Sequence, residues 1–184
     1  MAERGGLFQI SLMNVFRQAA RERDAKKDLA DVTDTDGRTL SRRAIERREG
    51  AGQATLREHL AQDLGNLMST VHLEATTPLD GLDHVRKSVL NYGIQDMSRL
   101  TSDDFRGGRV AMELRASLLA HEPRLIAETL TVKQRSRDAD AFQRVALDIS
   151  AEMAARPVDV PLEFVAEIDT GAGKVALSNL VMQG

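Results

Sequence analysis

The sequence changes its hydrophobic period at Pro123, and this change constrains the fold more than any other feature. Before the proline, Val110, Leu114 and Leu118 recur every four residues, which is typical of an amphipathic helix. Proline lacks an amide proton and disfavours helical geometry in the residue before it, so the helix must end there. Beyond it, residues 126–132 alternate between apolar and polar, which indicates a strand. We therefore predict a rigid joint between a helix and a strand.

Two charged residues flank this proline. In an extended segment Glu122 and Arg124 project to the same side, so that a carboxylate lies beside a guanidinium. One interpretation is that they pair with each other or bind the free carbonyls at the helix end. The other is that the joint presents them to a partner.

The composition excludes several classes of function. The chain has 184 residues, a formal net charge of -3 and 3% aromatic residues. This length suits one domain with an added arm. The charge and the scarcity of aromatic residues give no indication of a nucleic-acid surface, an anionic membrane or a stacking platform. Because there is no cysteine and no apolar run long enough to span a bilayer, we expect a cytoplasmic protein.

The first third of the chain is predicted to be an arm. Residues 1–20 contain a short amphipathic helix over residues 7–17, which must dock on the same chain or on a partner to be stable. Residues 21–53 carry many charges and form a predicted connector, with a solvated helix over residues 39–49. The remaining residues, 54–184, are predicted to form the main domain.

Two main helices are predicted in this domain. The first covers residues 54–71 and has capping-box spacing at its start, from Thr55 to Glu58. The second is capped at Thr101 and continues through Gly107 and Gly108 to Pro123, with a close backbone approach at the two glycines. Between them, a short apolar piece ends in a turn at residues 91–93, because asparagine and glycine tolerate positive φ.

Three further strands are predicted over residues 145–151, 160–168 and 175–177. Each strand has one apolar face, which indicates a sheet covered on one side only. The predicted fold class is α+β: an antiparallel sheet of three to four strands, two main helices on one face, an N-terminal amphipathic helix and a charged connector.

No catalytic chemistry is predicted. The Gly171–Lys174 stretch lacks the spacing of a phosphate-binding loop and is typical of a hairpin turn. The four histidines are scattered and do not have metal-ligand spacing. A glycosidase needs two facing carboxylates in unlike environments, and the neighbouring guanidinium would lower the pKa of Glu122, which is wrong for a general acid. We therefore predict no catalytic residue, no cofactor and no metal.

These residues resemble the TssE family of type VI secretion baseplate proteins and its relatives in the baseplate wedges of contractile phage tails. The resemblance is most specific at two stretches, Ser88-Val89-Leu90-Asn91-Tyr92-Gly93 and Glu122-Pro123-Arg124. This sequence has Ser69 where the family usually has asparagine, Gln95 where it has proline, and His121 where it has an aromatic residue. Some members of the family carry a lysozyme label.

The resemblance implies a structural subunit that links wedge proteins to the contractile sheath and nucleates sheath assembly. The expected partners are wedge proteins of the TssF, TssG and TssK type and sheath subunits of the TssB and TssC type, with docking at the inner membrane through other proteins. The residues Glu122, Pro123 and Arg124 would contact the wedge. An edge strand would accept a sheath strand, either at Leu130 and Val132 or at Val175 and Leu177. The alternative is a lysozyme-like peptidoglycan hydrolase.

Overall fold

A computed structural model describes residues 7–23, 37, 42–135 and 144–183. These residues form two compact units. The N-terminal unit contains the described residues up to His59 together with residues 155–158. The sheet unit contains the described residues of 60–154 and 159–184. Of the predicted connector, residues 24–36 and 38–41 lie outside the described residues.

The N-terminal unit contains helices α1, Leu12–Glu22, and α2, Arg42–Glu49. The prediction of a helix over residues 7–17 is wrong at both ends. The residues before α1 are extended because Phe8 and Ala51 exchange two backbone hydrogen bonds, of 2.8 and 2.9 Å. Glycine is required beside this bridge, since Gly50 has a φ of +93° and a Cβ there would lie 2.5 Å from the Phe8 carbonyl oxygen. Of the solvated helix predicted over residues 39–49, the first three residues lie outside the described part.

Helix α3, Gln53–Met68, has the apolar stripe that the sequence predicts. Its side chains Leu56, Leu60, Leu64 and Leu67 are all buried. The helix begins at Gln53, one residue before the predicted start, so Thr55 lies in its first turn and does not cap it. The predicted end is wrong: α3 stops at Met68, and Val71 instead forms a parallel bridge with Ile94.

The second main helix is divided into two pieces. Thr101 and Asp104 form the predicted capping box, but at the start of the short helix α5, Ser102–Arg106. Gly108 has a φ of +71° and ends this helix, so the chain starts again as α6, Arg109–His121. The predicted continuous helix is therefore wrong at its two glycines. The apolar stripe of α6 is buried as predicted.

The segment between α3 and α5 consists of short helices. A four-residue helix, α4, covers Asp83–Arg86. Three 3-10 helices of three residues each cover Leu73–Ala75, Val89–Asn91 and Met97–Arg99. The predicted short apolar piece that ends in a turn corresponds to α4 and the 3-10 helix Val89–Asn91.

The sheet has four antiparallel strands in the order β1-β2-β3-β4. The strands are Thr131–Gln134, Arg144–Met153, Val160–Asp169 and Lys174–Met182. The buried residues of β2 alternate strictly from Val145 to Met153, so one face of the strand lies in the core. This face and the buried stripes of α3 and α6 supply most of the core of the sheet unit. The fold class is α+β, as the sequence predicts.

The strand predicted over residues 126–132 is wrong for most of its length. Residues 127–129 form a turn, closed by hydrogen bonds from the Thr129 and Leu130 amides to the Ile126 carbonyl, and β1 begins only at Thr131. The Arg115 guanidinium on α6 binds the carbonyls of Ala127, at 2.8 Å, and Leu130, at 3.1 Å. A side chain distant in sequence thus replaces the ladder partners that a strand would need.

The last hairpin is longer than predicted. Strand β4 has nine residues instead of three, and Asp169 closes the turn by accepting hydrogen bonds from the amides of Gly171 and Ala172. The interpretation of Gly171–Lys174 as a hairpin turn is therefore confirmed. Across the described residues, no helix is long and apolar enough to cross a membrane.

Candidate protein-binding site

The residues around Pro123 form a tight turn at the end of α6. The Glu122 amide donates the last helical hydrogen bond to the Leu118 carbonyl, at 2.8 Å, and the Leu125 amide then donates to the Glu122 carbonyl, at 3.1 Å. The extended geometry predicted for this segment is therefore wrong. The turn nevertheless brings the side chains of Glu122 and Arg124 together.

Arg124 binds Glu122 through a fork of two hydrogen bonds. Its Nε donates to Oε1 and its Nη2 donates to Oε2, both at 2.6 Å. A bidentate pair of this kind fixes the plane of the guanidinium as well as its position. The two charged residues therefore pair with each other, as one of the interpretations predicts.

A third charged residue completes the cluster. The Nη2 of Arg124 also donates to the Asp63 carboxylate on α3, at 2.8 Å. Asp63 lies 61 residues before Arg124, and reasoning from local sequence pattern did not assign it to this site. Asp63, Glu122 and Arg124 together are called the charged corner below.

The charged corner is partly closed to solvent. The side chain of Glu122 is 6% exposed, whereas those of Asp63 and Arg124 are 23% and 24% exposed. Burial lowers the pKa of the guanidinium, but its bonds to Glu122 and Asp63 raise it above its ordinary value, so that Arg124 stays charged. Among the described residues, none accepts a hydrogen bond from its Nη1. Pro123, beside it, is exposed.

The second signature stretch is organised by neutral hydrogen bonds. Ser88 accepts from the Leu90 amide and donates to the Val85 carbonyl, at 3.2 and 2.8 Å. Asn91 is buried, and its amide group accepts from the Glu74 amide, at 2.9 Å, and donates to the Arg86 carbonyl, at 3.1 Å. Leu90 points outward and is 68% exposed. Residues 88–93 are called the Asn91 loop below.

Gly93 is held where a side chain does not fit. Its φ is +131°, and a Cβ would lie 2.5 Å from the Thr70 carbonyl oxygen and 2.8 Å from the His72 amide nitrogen. The neighbouring Ile94 amide binds the same Thr70 carbonyl, at 2.8 Å. The glycine therefore allows the loop to approach the end of α3 closely.

Tyr92 joins the Asn91 loop to the charged corner. Its hydroxyl donates to the Asp63 carbonyl, at 3.4 Å, and its ring packs edge-on against His121, with centroids 5.2 Å apart. His121, which stands where the family usually has an aromatic residue, thus makes an aromatic contact. Burial lowers the pKa of His121, opposed by a hydrogen bond to the Asn91 backbone and reinforced by His72, so the neutral ring is favoured. The two signature stretches therefore meet at Asp63.

The surface near the two signature stretches contains a groove and a guanidinium held in a fixed plane. A groove of about 480 Å³ lies between the Asn91 loop and α6, and small residues including Ala116, Ser117 and Ala120 line one side of it. No group of side chains that could hold a metal ion occurs in the part of the chain that the structure describes. The fixed, partly exposed guanidinium is suited to donate hydrogen bonds to a carbonyl or carboxylate of another protein.

The predicted sheath-contact residues occupy three different settings. Val132 lies in β1 and is half-buried, while Val175 and Leu177 lie in β4, buried and half-buried. Both strands are edges of the described sheet. Leu130 lies before β1 and is only 3% exposed, so its assignment to an edge strand is wrong.

Comparison with known proteins supports one family. The family model described as baseplate wedge protein gp25 matches residues 54–158, more than half of the chain. The match includes α3 from its second residue, the Asn91 loop, the charged corner and β2, but not α1, α2, β3 or β4. No curated protein and no solved structure matches the chain. The resemblance is therefore confirmed at the level of the family: the chain belongs to the gp25 family of baseplate wedge proteins, of which TssE is the counterpart in type VI secretion.

Proposed function

We propose that this protein is the TssE-type subunit of a type VI secretion baseplate, which links the wedge to the contractile sheath and nucleates sheath assembly. Family membership supports a structural role in a baseplate like that of a phage tail. The charged corner is the observation that carries the proposal, because it presents a guanidinium in a fixed plane at the surface. The proposed location is the cytoplasm, with docking at the inner membrane through other proteins.

The wedge contact is assigned to Arg124 and Pro123. Two of the three guanidinium nitrogens are used inside the charged corner, which leaves Nη1 to donate to a carbonyl or carboxylate of a partner. Glu122 is nearly buried and acts by orienting Arg124. The proposed partners are wedge proteins of the TssF, TssG and TssK type, and a charge-assisted bond desolvated in such an interface is stronger than an exposed one.

The hydrolase alternative gains no support from the charged corner. A general acid needs a carboxyl that is protonated near neutral pH, in an apolar setting. Both carboxylates of the charged corner instead bind one guanidinium, so neither lies in an apolar setting. We therefore propose that the protein is not an enzyme.

The sheath contact is assigned to β4. This edge strand has nine residues, and none of those after Lys174 is charged. The opposite edge, β1, has four residues, includes the exposed Lys133 and is followed by Arg135, which pairs with Asp148. Short, charged edges discourage strand pairing, whereas long, uncharged ones accept a further strand. The proposed partners at β4 are sheath subunits of the TssB and TssC type.

The wedge contact is tested by affinity purification of the tagged full chain from cells that express the whole baseplate. Arg124→Lys retains the charge that Glu122 needs but loses the fork, so wedge proteins should no longer be recovered. Arg109→Lys is the matched control, because Arg109 forms ion pairs elsewhere on the sheet unit, with Asp104 and Glu113. Circular dichroism checks that each variant is folded. Recovery of wedge proteins by folded Arg124→Lys at the wild-type level contradicts this assignment.

The sheath contact is tested by proline substitution along each edge. Proline at a position whose amide points away from the neighbouring strand removes a free donor without breaking the existing ladder. Along β4, every second amide points away from β3. Ala176→Pro and Leu177→Pro therefore test one amide of each orientation. The variant that remains folded should block sheath assembly, seen by fluorescence microscopy of a labelled sheath subunit, while wedge proteins are still recovered. If the folded β4 variant still assembles a normal sheath and Val132→Pro does not, the contact lies at β1 instead.

A further inference from the structure

We propose that the N-terminal unit binds an acidic, amphipathic helix of another protein on the outer face of α1. Four large apolar side chains are exposed on α1 and just before it: Leu12, Met13 and Phe16 of the helix have 53%, 61% and 53% of their surface accessible, and Leu7, which precedes the helix, has 52%. They are called the α1 surface below. The surface lies outside the range matched by the gp25 family, and the inference does not rest on the proposed function.

The geometry of α1 explains why this face remains open. Asn14, Val15 and Ala19 are buried and face the interior of the N-terminal unit. Leu12 and Phe16 are four residues apart, so they form one exposed ridge, which lies beside the buried Val15 and Ala19. Eleven helical residues extend about 16 Å, which is enough to pack along two to three turns of another helix. The ridge is therefore not needed for the core of its own unit.

A concave cleft adjoins the ridge. It has a volume of about 580 Å³, and Leu7, Ile10, Leu12 and Val15 form its apolar lining. Because Leu7 and Leu12 belong to both the cleft and the α1 surface, the apolar region is continuous. A convex helix fills a cleft of this kind, whereas a planar bilayer does not. The shape therefore favours a protein helix over a membrane as the occupant.

The charge around the surface defines the chemistry of that helix. Over the residues of the N-terminal unit, Met1–His59 and Ala155–Val158, the sequence has thirteen basic and ten acidic residues, a formal net charge of +3. The rest of the chain has twelve basic and eighteen acidic residues, a formal net charge of -6. Arg47 and Arg156 line the cleft and are exposed, and Glu49 is the acidic residue of the lining. Arg21 on α1 is also exposed. Apolar contact within a positive field selects a helix with acidic residues beside its apolar stripe.

The first test is site-specific photocrosslinking of the full chain in its native cells. A photoreactive phenylalanine analogue at Phe16 should capture one segment of another protein, which peptide mass spectrometry then identifies. The expected segment has apolar residues at helical spacing flanked by Asp or Glu. The matched control places the analogue at Glu58, which is exposed on α3 of the same unit, and should not capture that segment. The proposal is overturned if the analogue captures lipid, a second copy, this chain itself or a segment without that pattern. It is also overturned if nothing is captured.

The second test measures the charge dependence directly. A synthetic peptide of the captured segment should bind the full chain about tenfold more weakly after the double substitution Arg21→Glu and Arg156→Glu. A peptide with its acidic residues changed to lysine should recover the lost affinity with this variant. Unchanged affinity in the variant, or no recovery by the basic peptide, overturns the assignment of an acidic partner. Arg124→Lys should not alter either measurement, which separates this surface from the wedge contact.

Discussion

The Asn91 loop and the charged corner both attach to α3, but they do so by different physical means. The loop uses neutral hydrogen bonds and a close backbone approach, and its polar atoms face inward while Leu90 faces solvent. The charged corner uses ionic bonds, and its guanidinium faces partly outward. The loop therefore supplies fixed geometry, whereas the corner combines fixed geometry with a directional donor. Substitutions should separate these roles by their size and by their response to salt and pH.

The largest effect is expected from Gly93→Ala in the Asn91 loop. The new Cβ would meet the Thr70 carbonyl oxygen at 2.5 Å, and a φ of +131° is strained for alanine. We expect a loss of about 3 kcal/mol in the free energy of unfolding, measured by chemical denaturation. Gly65→Ala in α3 is the control, because a Cβ there meets nothing within 4 Å, and it should stabilise the protein by about 0.5–1 kcal/mol. Equal effects at the two glycines would contradict the close approach.

The next largest effect is expected from Arg124→Met in the charged corner. The substitution leaves the Glu122 carboxylate, which is 6% exposed, without its cation. Loss of one partner of a fully buried pair costs about 3–5 kcal/mol, and the partial exposure of Arg124 reduces the expected loss to about 2 kcal/mol. High salt should make this loss smaller. The control Arg135→Met removes an exposed ion pair with Asp148 and should leave stability close to that of the wild type. If both variants lose a similar amount of the free energy of unfolding, the burial of Glu122 does not add to the strength of its ion pair.

A smaller effect is expected from Asn91→Ala. The variant leaves the Glu74 amide and the Arg86 carbonyl without their side-chain partner, at a cost of about 1–2 kcal/mol. Since neither group is ionised, the loss should be the same at low and at high salt. A loss that decreases with salt as much as that of Arg124→Met would remove the distinction between the two regions.

The sequence predicted those parts of the fold that depend on local pattern. The alternation in β2 and β3, the apolar stripes of α3 and α6 and the cap at Thr101 are properties of neighbouring residues, and each was recovered. The ends of elements were predicted less well, because tertiary contacts set them. Gly108 ends a helix that the apolar period alone would continue.

The site shows the same division between local and distant contacts. The proximity of Glu122 and Arg124 could be predicted because only Pro123 lies between them, whereas Asp63 joins them only after α3 has packed in place. Likewise, the alternation of residues 126–132 resembles a strand, but Arg115 binds the carbonyls of a turn there. No local pattern contains such long-range partners, since they depend on the fold as a whole.

The smallest effect is expected from the pH dependence of His121, which lies where the two regions meet. Burial lowers its pKa, so above the ordinary histidine value of 6.5 the neutral ring is present in both the folded and the unfolded protein. As the pH falls below that value, the unfolded protein takes up the proton first, and stability is lost until the pH passes the lowered pKa. His121→Phe keeps the edge-on contact with Tyr92 but cannot titrate, so its stability should fall less between pH 7 and pH 5. His84→Phe, at an exposed position, is the control and should leave the dependence of stability on pH as in the wild type. If both variants change it equally, the effect comes from the number of histidines and not from the contact of His121 with Tyr92.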